Sequence, residues 1–421
     1  MRSSPYAPMI RAIYQVAMLI FVVTVVIGIL NGLDLVDFSQ DALLTHVHAG
    51  TLGWLTLGIL ATTLWIFSDD GGAPVSPGAT RGLALLAVAS IAAYVVAFYS
   101  GVIFWRAVLA VPVLITILWF LGWIWAALRA APMTMARLGI LAAVVMLLLG
   151  GTIGTLIQIQ FATDAQIFPT DGDPIGAHVV AMAFSYLILF GMVVAEWRLK
   201  GAATPVSRGG VAQISFLILA GLVTMAALMF NVQAILPLSL LLEILAVGFF
   251  AVRLGGSVRR VSWLASGSGR HFAAGAIFIG VDIALVMALI GSVIANQGDI
   301  EATPAGLAVA SDHAVFIGVM TNALLGSILF LGERAGRALS SAVSGLIFWA
   351  VNIGLVGFLV GLLMDTRTFG EYQAGGTAEF QVVKQIFAPI MGLGLLLAIA
   401  VLSAALWSRA GSDQPLGEAP A

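Results

Sequence analysis

The chain has 421 residues, of which 61% are apolar and 9% are charged, and its formal net charge at pH 7 is −2. A soluble domain has about 45–50% apolar and about 25% charged residues, so the composition indicates an integral membrane protein surrounded by a lipid bilayer. The near-neutral charge and the lack of a basic cluster argue against nucleic acid as a partner. The absence of cysteine excludes disulfides, thiolate metal sites and covalently attached heme.

Twelve apolar stretches are each about as long as the roughly 20 residues that a membrane-spanning helix needs. In chain order they cover about 9–31, 41–67, 80–99, 103–129, 134–160, 173–198, 208–230, 233–253, 271–295, 304–332, 340–365 and 381–408. Asp173-Pro174 is typical of an N-cap followed by a first-turn proline. We therefore predict an all-α integral membrane protein with a single membrane domain at 1–409 and a disordered polar tail at 410–421.

The basic residues predict the orientation of these helices. All but three of the 18 arginine and lysine residues fall at one set of alternate helix ends, the exceptions being Arg106, Arg367 and Lys384. The positive-inside rule then predicts cytoplasmic termini, with helices 2, 6 and 10 beginning at the outer face. We expect the protein in a bacterial-type inner (cytoplasmic) membrane.

A repeat links three of the predicted helices. Two strings place the same residue types at the same offsets: His48-Ala49-x-x-x-Gly53-x-x-Thr56 in helix 2 and His313-Ala314-x-x-x-Gly318-x-x-Thr321 in helix 10. Helix 6 carries a weaker copy that begins at His178 and has Ala183 and Tyr186 at the later offsets. This recurrence every four helices predicts three pseudo-repeated modules, at about 1–130, 131–254 and 255–409.

Four histidines share one predicted depth near the outer face: His46, His48, His178 and His313. An unpartnered polar group in lipid is costly, so we expect these imidazoles to face a cavity, a partner or a ligand. Two imidazoles on facing helices can ligate a heme iron axially, and Gly53 and Gly318 would let the flat macrocycle approach the backbone. A bare zinc or copper ion would instead need three or four converging ligands. His46 and His48 point about 200° apart and would serve two different groups.

The segment His46-Val47-His48-Ala49-Gly50-Thr51-Leu52-Gly53-Trp54 resembles the His-x-His segment of the C-type oxidases, here placed on helix 2. With twelve helices and histidines on helices 2, 6 and 10, the chain resembles subunit I of the heme-copper oxidase and nitric oxide reductase superfamily. The spacing of histidine and glycine is also similar to that of NnrS, a membrane heme and copper protein linked to nitric oxide stress.

The resemblance implies one low-spin heme between a helix 2 histidine and His313, and the repeat favours His48 as that histidine. The other helix 2 histidine, His46, and His178 are left for a second heme, a single metal or nothing. The family's copper site also uses a histidine pair at helix 7, where this chain has none, and Met182 stands at the tyrosine offset of one subfamily. We therefore expect one or two b-type hemes and no standard oxygen-reducing copper centre.

Other polar residues allow two interpretations each. Arg106 either pairs with heme propionates or is an interfacial arginine, and Arg367 and Lys384 are weaker candidates for the same role. Glu243 and Asp282, predicted at similar depth on helices 8 and 9, form either a proton path or a hydrogen-bonded structural pair. We expect Asp312 to have a helix-entry or pore role and His271 to be an interfacial residue.

These observations predict a heme-binding membrane protein in electron transfer or in the handling of nitric oxide or oxygen, with an oxidoreductase activity left open. An electron-donor protein or a quinone and a homo-oligomer are the expected partners. One alternative is a twelve-helix proton-coupled transporter with Glu243 and Asp282 as coupling groups. Another is a respiratory complex subunit that has lost its cofactors.

Overall fold

The protein is described by a computed structural model that covers residues 4–69, 71–373 and 381–407. Within these residues, twelve helices are long and apolar enough to cross a membrane, as the sequence predicts. They are α1 (Ala7–Gly32), α2 (Gln40–Ser68), α3 (Pro77–Tyr99), α4 (Ile103–Ala130), α5 (Met135–Thr163), α6 (Pro174–Leu199), α7 (Arg208–Met229), α8 (Gln233–Arg259), α9 (Gly269–Ala295), α10 (Ala305–Arg334), α11 (Ser341–Leu363) and α12 (Gln381–Leu406). A short helix, Phe369–Gln373, precedes α12, and the predicted tail at 410–421 lies outside the described residues.

Hydrogen-bonding side chains fix where several helices begin. A serine, threonine or aspartate accepts a bond from a first-turn backbone N–H at six starts: Ser39, Ser76, Thr134, Asp173, Ser207 and Ser340. Such caps satisfy backbone donors that the helix itself leaves free. The predicted cap at Asp173 is confirmed, because its Oδ1 accepts from Gly176 N at 2.8 Å. Helix α8 ends at Arg259 rather than near residue 253, since its backbone hydrogen bonds continue beyond the last apolar residues.

The three histidine-bearing helices form the centre of the bundle. In the most apolar part of α2 and α10, 89% of residues are buried, and in α6 the share is 78%, against 28–61% in the other nine spans. A helix that is apolar on every side has no face that must meet water, so it suits a position surrounded by other helices. We call the bundle face at which α2, α6 and α10 begin the histidine face. The division into three modules stays a prediction.

Aromatic rings close the central axis at the opposite face. Trp65 of α2 stacks on Phe330 of α10 with 5.3 Å between ring centroids, and Trp197 of α6 meets Trp65 edge-on at 5.1 Å. The guanidinium of Arg198 lies over the Phe330 ring, 3.2 Å from its centroid. We call Trp65, Trp197 and Phe330 the aromatic plug. These large rings, of which Trp65 and Trp197 are buried and Phe330 is partly buried, hold the far ends of the three central helices together.

Glycine allows α11 and α12 to approach closely at one level. A Cβ atom at Gly354 would lie 2.5 Å from the backbone nitrogen of Met391 and 2.7 Å from its Cα, whereas a Cβ at Gly345 on the same helix would contact nothing within 4 Å. Backbone atoms cannot give way as a flexible side chain can. The contact between these two helices therefore depends on Gly354.

Replacing Gly354 with alanine should destabilise the bundle by about 1–3 kcal/mol through overpacking. The matched change Gly345→Ala should be neutral or stabilise α11 by up to about 1 kcal/mol, because alanine favours a helix over glycine. Thermal unfolding of both detergent-purified variants, followed by size-exclusion chromatography of the surviving fraction, measures the difference. Equal stability of the two variants would contradict the close approach.

Candidate functional site

Each central helix widens into a π-helical segment just beyond its histidine. The three segments are Ala49–Thr56 after His48, Val180–Leu187 after His178 and Ala314–Thr321 after His313. π-Helical turns are rare and are found frequently at functional sites. The motif shared by helices 2 and 10, with its weaker copy in helix 6, thus coincides with the same backbone feature. The sequence analysis missed this feature.

The last position of the motif joins the three central helices. Trp54 Nε1 of α2 donates to Thr321 Oγ1 of α10 at 3.0 Å, and the Tyr186 hydroxyl of α6 donates to Thr56 Oγ1 of α2 at 3.4 Å. Both threonine hydroxyls in turn donate to the carbonyl five residues earlier in their own helix. All four side chains are buried. Polar groups in this apolar centre are therefore paired with one another across helices.

The four histidines on α2, α6 and α10 share one hydrogen-bonding pattern. In each, Nδ1 lies 2.8 Å from a backbone carbonyl oxygen: Thr24 for His46, Leu44 for His48, Gly150 for His178 and Val309 for His313. A carbonyl only accepts, so Nδ1 carries the proton and Nε2 keeps its lone pair. None of the four Nε2 atoms makes a hydrogen bond within the described residues, and the four rings remain partly accessible. This tautomer is the one that ligates metals through Nε2.

The structure pairs these histidines in two compartments on opposite sides of α2. His46 faces α1, where a Cβ at Gly28 would lie 3.0 Å from its Cε1, and it is within electrostatic range of His313. His48 faces α3 and is within electrostatic range of His178. We call the His46 and His313 side the first compartment and the His48 and His178 side the second. The sequence analysis favours His48 as the partner of His313, whereas the helix 2 imidazole within electrostatic range of His313 is that of His46.

Aromatic and charged groups line the second compartment. The His48 ring stacks on Phe98 with a centroid distance of 3.7 Å and meets Tyr94 edge-on at 6.0 Å. The buried guanidinium of Arg106 donates to the Phe98 carbonyl at 3.0 Å and pairs with Asp41. Arg106 Nε is buried and has no hydrogen-bond partner within the described residues. Arg106 is therefore buried beside His48, on the side of α2 that faces α3.

A small apolar cavity lies among α2, α3, α4 and α5, and its walls on α2 include Leu52 and Thr56. These two residues lie four and eight positions after His48, on the same side of the helix. The cavity has room for about one water molecule, and His48 does not line it.

The glycines nearest the imidazoles are not those of the motif. A Cβ at Gly154 of α5 would lie 2.7 Å from His178 Cε1, much as Gly28 lies against His46. A Cβ at Gly53 would instead meet Ile20 of α1, and one at Gly318 would meet the ring of Phe278 of α9. The two motif glycines allow neighbouring helices to pack closely, and their contact with a macrocycle stays a prediction.

The sequence predicts that His271 lies at the membrane interface. Within the bundle, its side chain is fully buried among other helices. Its Nδ1 lies 3.0 Å from Asn322 Oδ1, which its N–H can reach, and its ring meets Phe348 edge-on with centroids 5.0 Å apart. Asn322 also exchanges amide hydrogen bonds with Asn352 of α11. His271 therefore belongs to a polar network that joins α9, α10 and α11, away from the two compartments.

A charged cluster lies beside the start of α10. Asp365 accepts from Arg367 at 2.8 and 2.9 Å and from Lys384 Nζ of α12 at 2.8 Å. The Arg367 carbonyl accepts from Ala305 N, the first residue of α10, at 3.0 Å. Hydrogen bonds from Arg367 and then from Lys384 hold the pKa of Asp365 well below its ordinary value. The two cations that were weaker propionate candidates are thus engaged by one carboxylate.

Glu243 and Asp282 lie on the neighbouring helices α8 and α9, within electrostatic range of each other. Asp282 is fully buried, Glu243 is 4% exposed, and the two carboxyls interact electrostatically. Asp312 of α10 also acts on Asp282. These carboxyls lie outside both histidine compartments.

The comparisons with known proteins find no matching family model and no matching curated protein. Within the described residues, no group of three or more histidine, aspartate or glutamate side chains is arranged to hold a metal ion. A bare zinc or copper ion would therefore not find its usual three or four ligands there. The paired imidazoles are therefore the feature of the structure that bears most directly on function.

Replacing Asp365 with asparagine should lower stability at neutral pH by about 2 kcal/mol, because its charge-assisted hydrogen bonds with Arg367 and Lys384 are weakened. A carboxyl with a depressed pKa contributes stability that is present above its unfolded pKa of about 3.9 and is lost as pH falls further. Wild-type stability should therefore drop below about pH 4, and the variant should show a shallower drop.

Thermal unfolding in detergent across a pH series measures this dependence. The exposed residue Asp37 provides the control, because Asp37→Asn also removes one carboxyl. An acid profile that is the same in Asp365→Asn and in the wild type would contradict the assigned role.

Proposed function

We propose that the chain is a heme-binding integral membrane protein that holds two b-type hemes, one in each histidine compartment. His46 and His313 would ligate the first, and His48 and His178 the second. The observation that carries this proposal is the shared tautomer of the four imidazoles, each with Nδ1 bound to a carbonyl and Nε2 free. A histidine that ligates a metal commonly donates its other ring N–H to such a carbonyl, which fixes the ring orientation.

The surroundings of the second compartment fit a flat apolar macrocycle with anionic substituents. Phe98 and Tyr94 supply aromatic walls beside His48. Arg106 has a buried Nε without a partner, which suits a carboxylate such as a heme propionate. In the first compartment, Phe358 meets His313 edge-on at 5.0 Å, and Gly28 keeps the neighbouring backbone close to His46.

Bound heme would supply one-electron redox chemistry. A heme held by two histidines of the protein would suit electron transfer better than the binding of nitric oxide or oxygen. We infer that electrons pass between the two compartments across α2, with a quinone or an electron-donor protein as the external partner. The proposal includes the three four-helix modules, a histidine face at the outer side, and a bacterial-type cytoplasmic membrane, which the distribution of basic residues favours.

A proton-coupled transporter is the second candidate, and one observation favours it. Glu243 and Asp282 are buried carboxyls inside the membrane domain, and ionisable groups at such depth commonly serve transport or proton relay. A transporter needs no heme. A pyridine hemochrome assay on protein expressed with adequate heme therefore separates the two candidates: absence of heme would reject the heme proposal.

The pairing of histidines predicts how heme content changes in variants. Single changes of His46, His48, His178 or His313 to alanine should each lower the content from two hemes per chain to one. The double variant His46→Ala with His313→Ala should keep one heme, because both changes affect the same compartment. The double variant His46→Ala with His178→Ala should keep none. Hemochrome content per chain is the measurement.

His271→Gln is the matched control, because this histidine is outside both compartments and should leave two hemes bound. If the double variant His48→Ala with His313→Ala kept one heme while His46→Ala with His313→Ala kept none, the compartments would be paired wrongly. Size-exclusion profiles of each variant distinguish loss of heme from loss of fold.

A further inference from the structure

A set of polar side chains outside the two histidine compartments lies where α8, α9 and α10 meet. Ser311 Oγ of α10 donates to Asp282 Oδ1 of α9 at 2.6 Å. Glu243 of α8 and Asp312 of α10 both act electrostatically on Asp282. We call Glu243, Asp282 and Asp312 the carboxyl cluster. It brings together three acidic side chains from three helices inside the membrane domain.

The carboxyl cluster has no cation to balance it. Within the described residues none of its members forms an ion pair, and Glu243 Oε2 and Asp282 Oδ2 are buried without any hydrogen-bond partner. An ionised carboxylate in an apolar interior is costly unless it is paired, and several such groups side by side cost more. The cluster must therefore take its positive charge from outside the protein.

The helices around the carboxyl cluster place hydroxyl groups near it, and their ion pair lies farther away. From α7, Thr224 bonds to Ser239, which stands one turn before Glu243 on α8. From α6, Glu196 is already paired with Arg253, near the end of α8 that is farther from the histidine face. The charged groups that act on Asp282 are its two acidic neighbours. No group of three metal-ligating side chains is found in the described residues, so a proton fits the cluster better than a metal ion.

The cluster lies next to the first compartment and at similar depth. Asp312 and His313 are consecutive on α10 and point about 100° apart, so this helix separates the carboxyls from the imidazole. From the helix ends at the histidine face, Asp312 and His313 lie about two turns in, Glu243 about three turns and Asp282 between three and four turns. Charges on neighbouring residues of one helix are weakly screened when an apolar medium surrounds them. A proton gained or lost by the cluster would therefore be felt at the His313 site.

We propose that Glu243 and Asp282 together bind one proton from water when the heme held by His46 and His313 is reduced, and release it when that heme is oxidised. This inference rests on the proposed function. When bound, that heme would accept one electron from a one-electron donor, a quinol or a small redox protein, and one carboxylate oxygen of Glu243 or Asp282 would gain the proton. The added negative charge is thereby balanced, and no bond between heavy atoms changes.

The first test is a spectroelectrochemical titration of the purified holoprotein over a pH series, with small redox mediators as electron donors. The potential of the heme that is lost in His313→Ala should fall as pH rises, by up to about 59 mV for each tenfold change in proton concentration. In Asp282→Asn and in Glu243→Gln this slope should largely disappear. The exposed carboxyl variant Asp37→Asn should keep the wild-type slope.

The second test is the infrared difference spectrum between reduced and oxidised protein. The wild type should show the C=O stretching band of a carboxyl that becomes protonated on reduction, and Asp282→Asn should lack it. If heme is bound but its wild-type potential does not vary with pH, the proton proposal is wrong and the heme proposal stands. A potential that follows sodium concentration instead of pH overturns it equally. Absence of heme overturns both.

If neither cluster variant folds, the wild-type slope and infrared band still decide the matter. Retention of both heme bands in the visible spectrum shows that a variant has folded. If a variant retains both heme bands and the full wild-type dependence of potential on pH, the substituted residue does not take part in the proposed proton binding.

Discussion

The need to pair every polar group inside an apolar bundle governs this structure. Where the central helices change from α to π geometry, their backbone hydrogen-bond ladder is altered, and Thr56 and Thr321 donate to carbonyls there. The same hydroxyls accept from Tyr186 and Trp54 of neighbouring helices. One set of hydrogen bonds thus stabilises the widened backbone and sets the relative positions of α2, α6 and α10.

The same constraint prepares the imidazoles. Each ring donates its single N–H in a hydrogen bond to a carbonyl oxygen. The second ring nitrogen carries no proton and can only accept. An apolar interior offers that nitrogen few hydrogen-bond donors. The carbonyl bonds and the free lone pairs therefore belong to one arrangement, which gives α2 an imidazole nitrogen without a hydrogen bond on each of two faces.

Composition and hydropathy were enough to predict the twelve spans, because length and apolarity are properties of each segment alone. The π-helical segments escaped prediction, since nothing in residues such as Ala49–Thr56 distinguishes π from α hydrogen bonding locally. The pairing of His46 with His313 depends on how α2 is rotated against its neighbours. The contacts of Gly53 and Gly28 depend on helices distant in sequence. Residue type and spacing were enough to single out the four histidines. The residues that surround each imidazole could be identified only from the packed bundle.

The widened segments also limit how these helices can change. A π-helical turn holds an extra residue compared with an α-helical turn, so the residues beyond it are rotated by about 100° relative to those before it. In α2, the histidine half and the half that contains Trp65 are therefore set at an angle that a regular α-helix with the same number of residues would not give. A substitution that returns Ala49–Thr56 to α geometry without shortening it would turn Trp65 out of the aromatic plug. Deleting one residue there lets the segment return to α geometry with His48 and Trp65 both in place, so such a deletion should disturb α2 less than a substitution that straightens the segment.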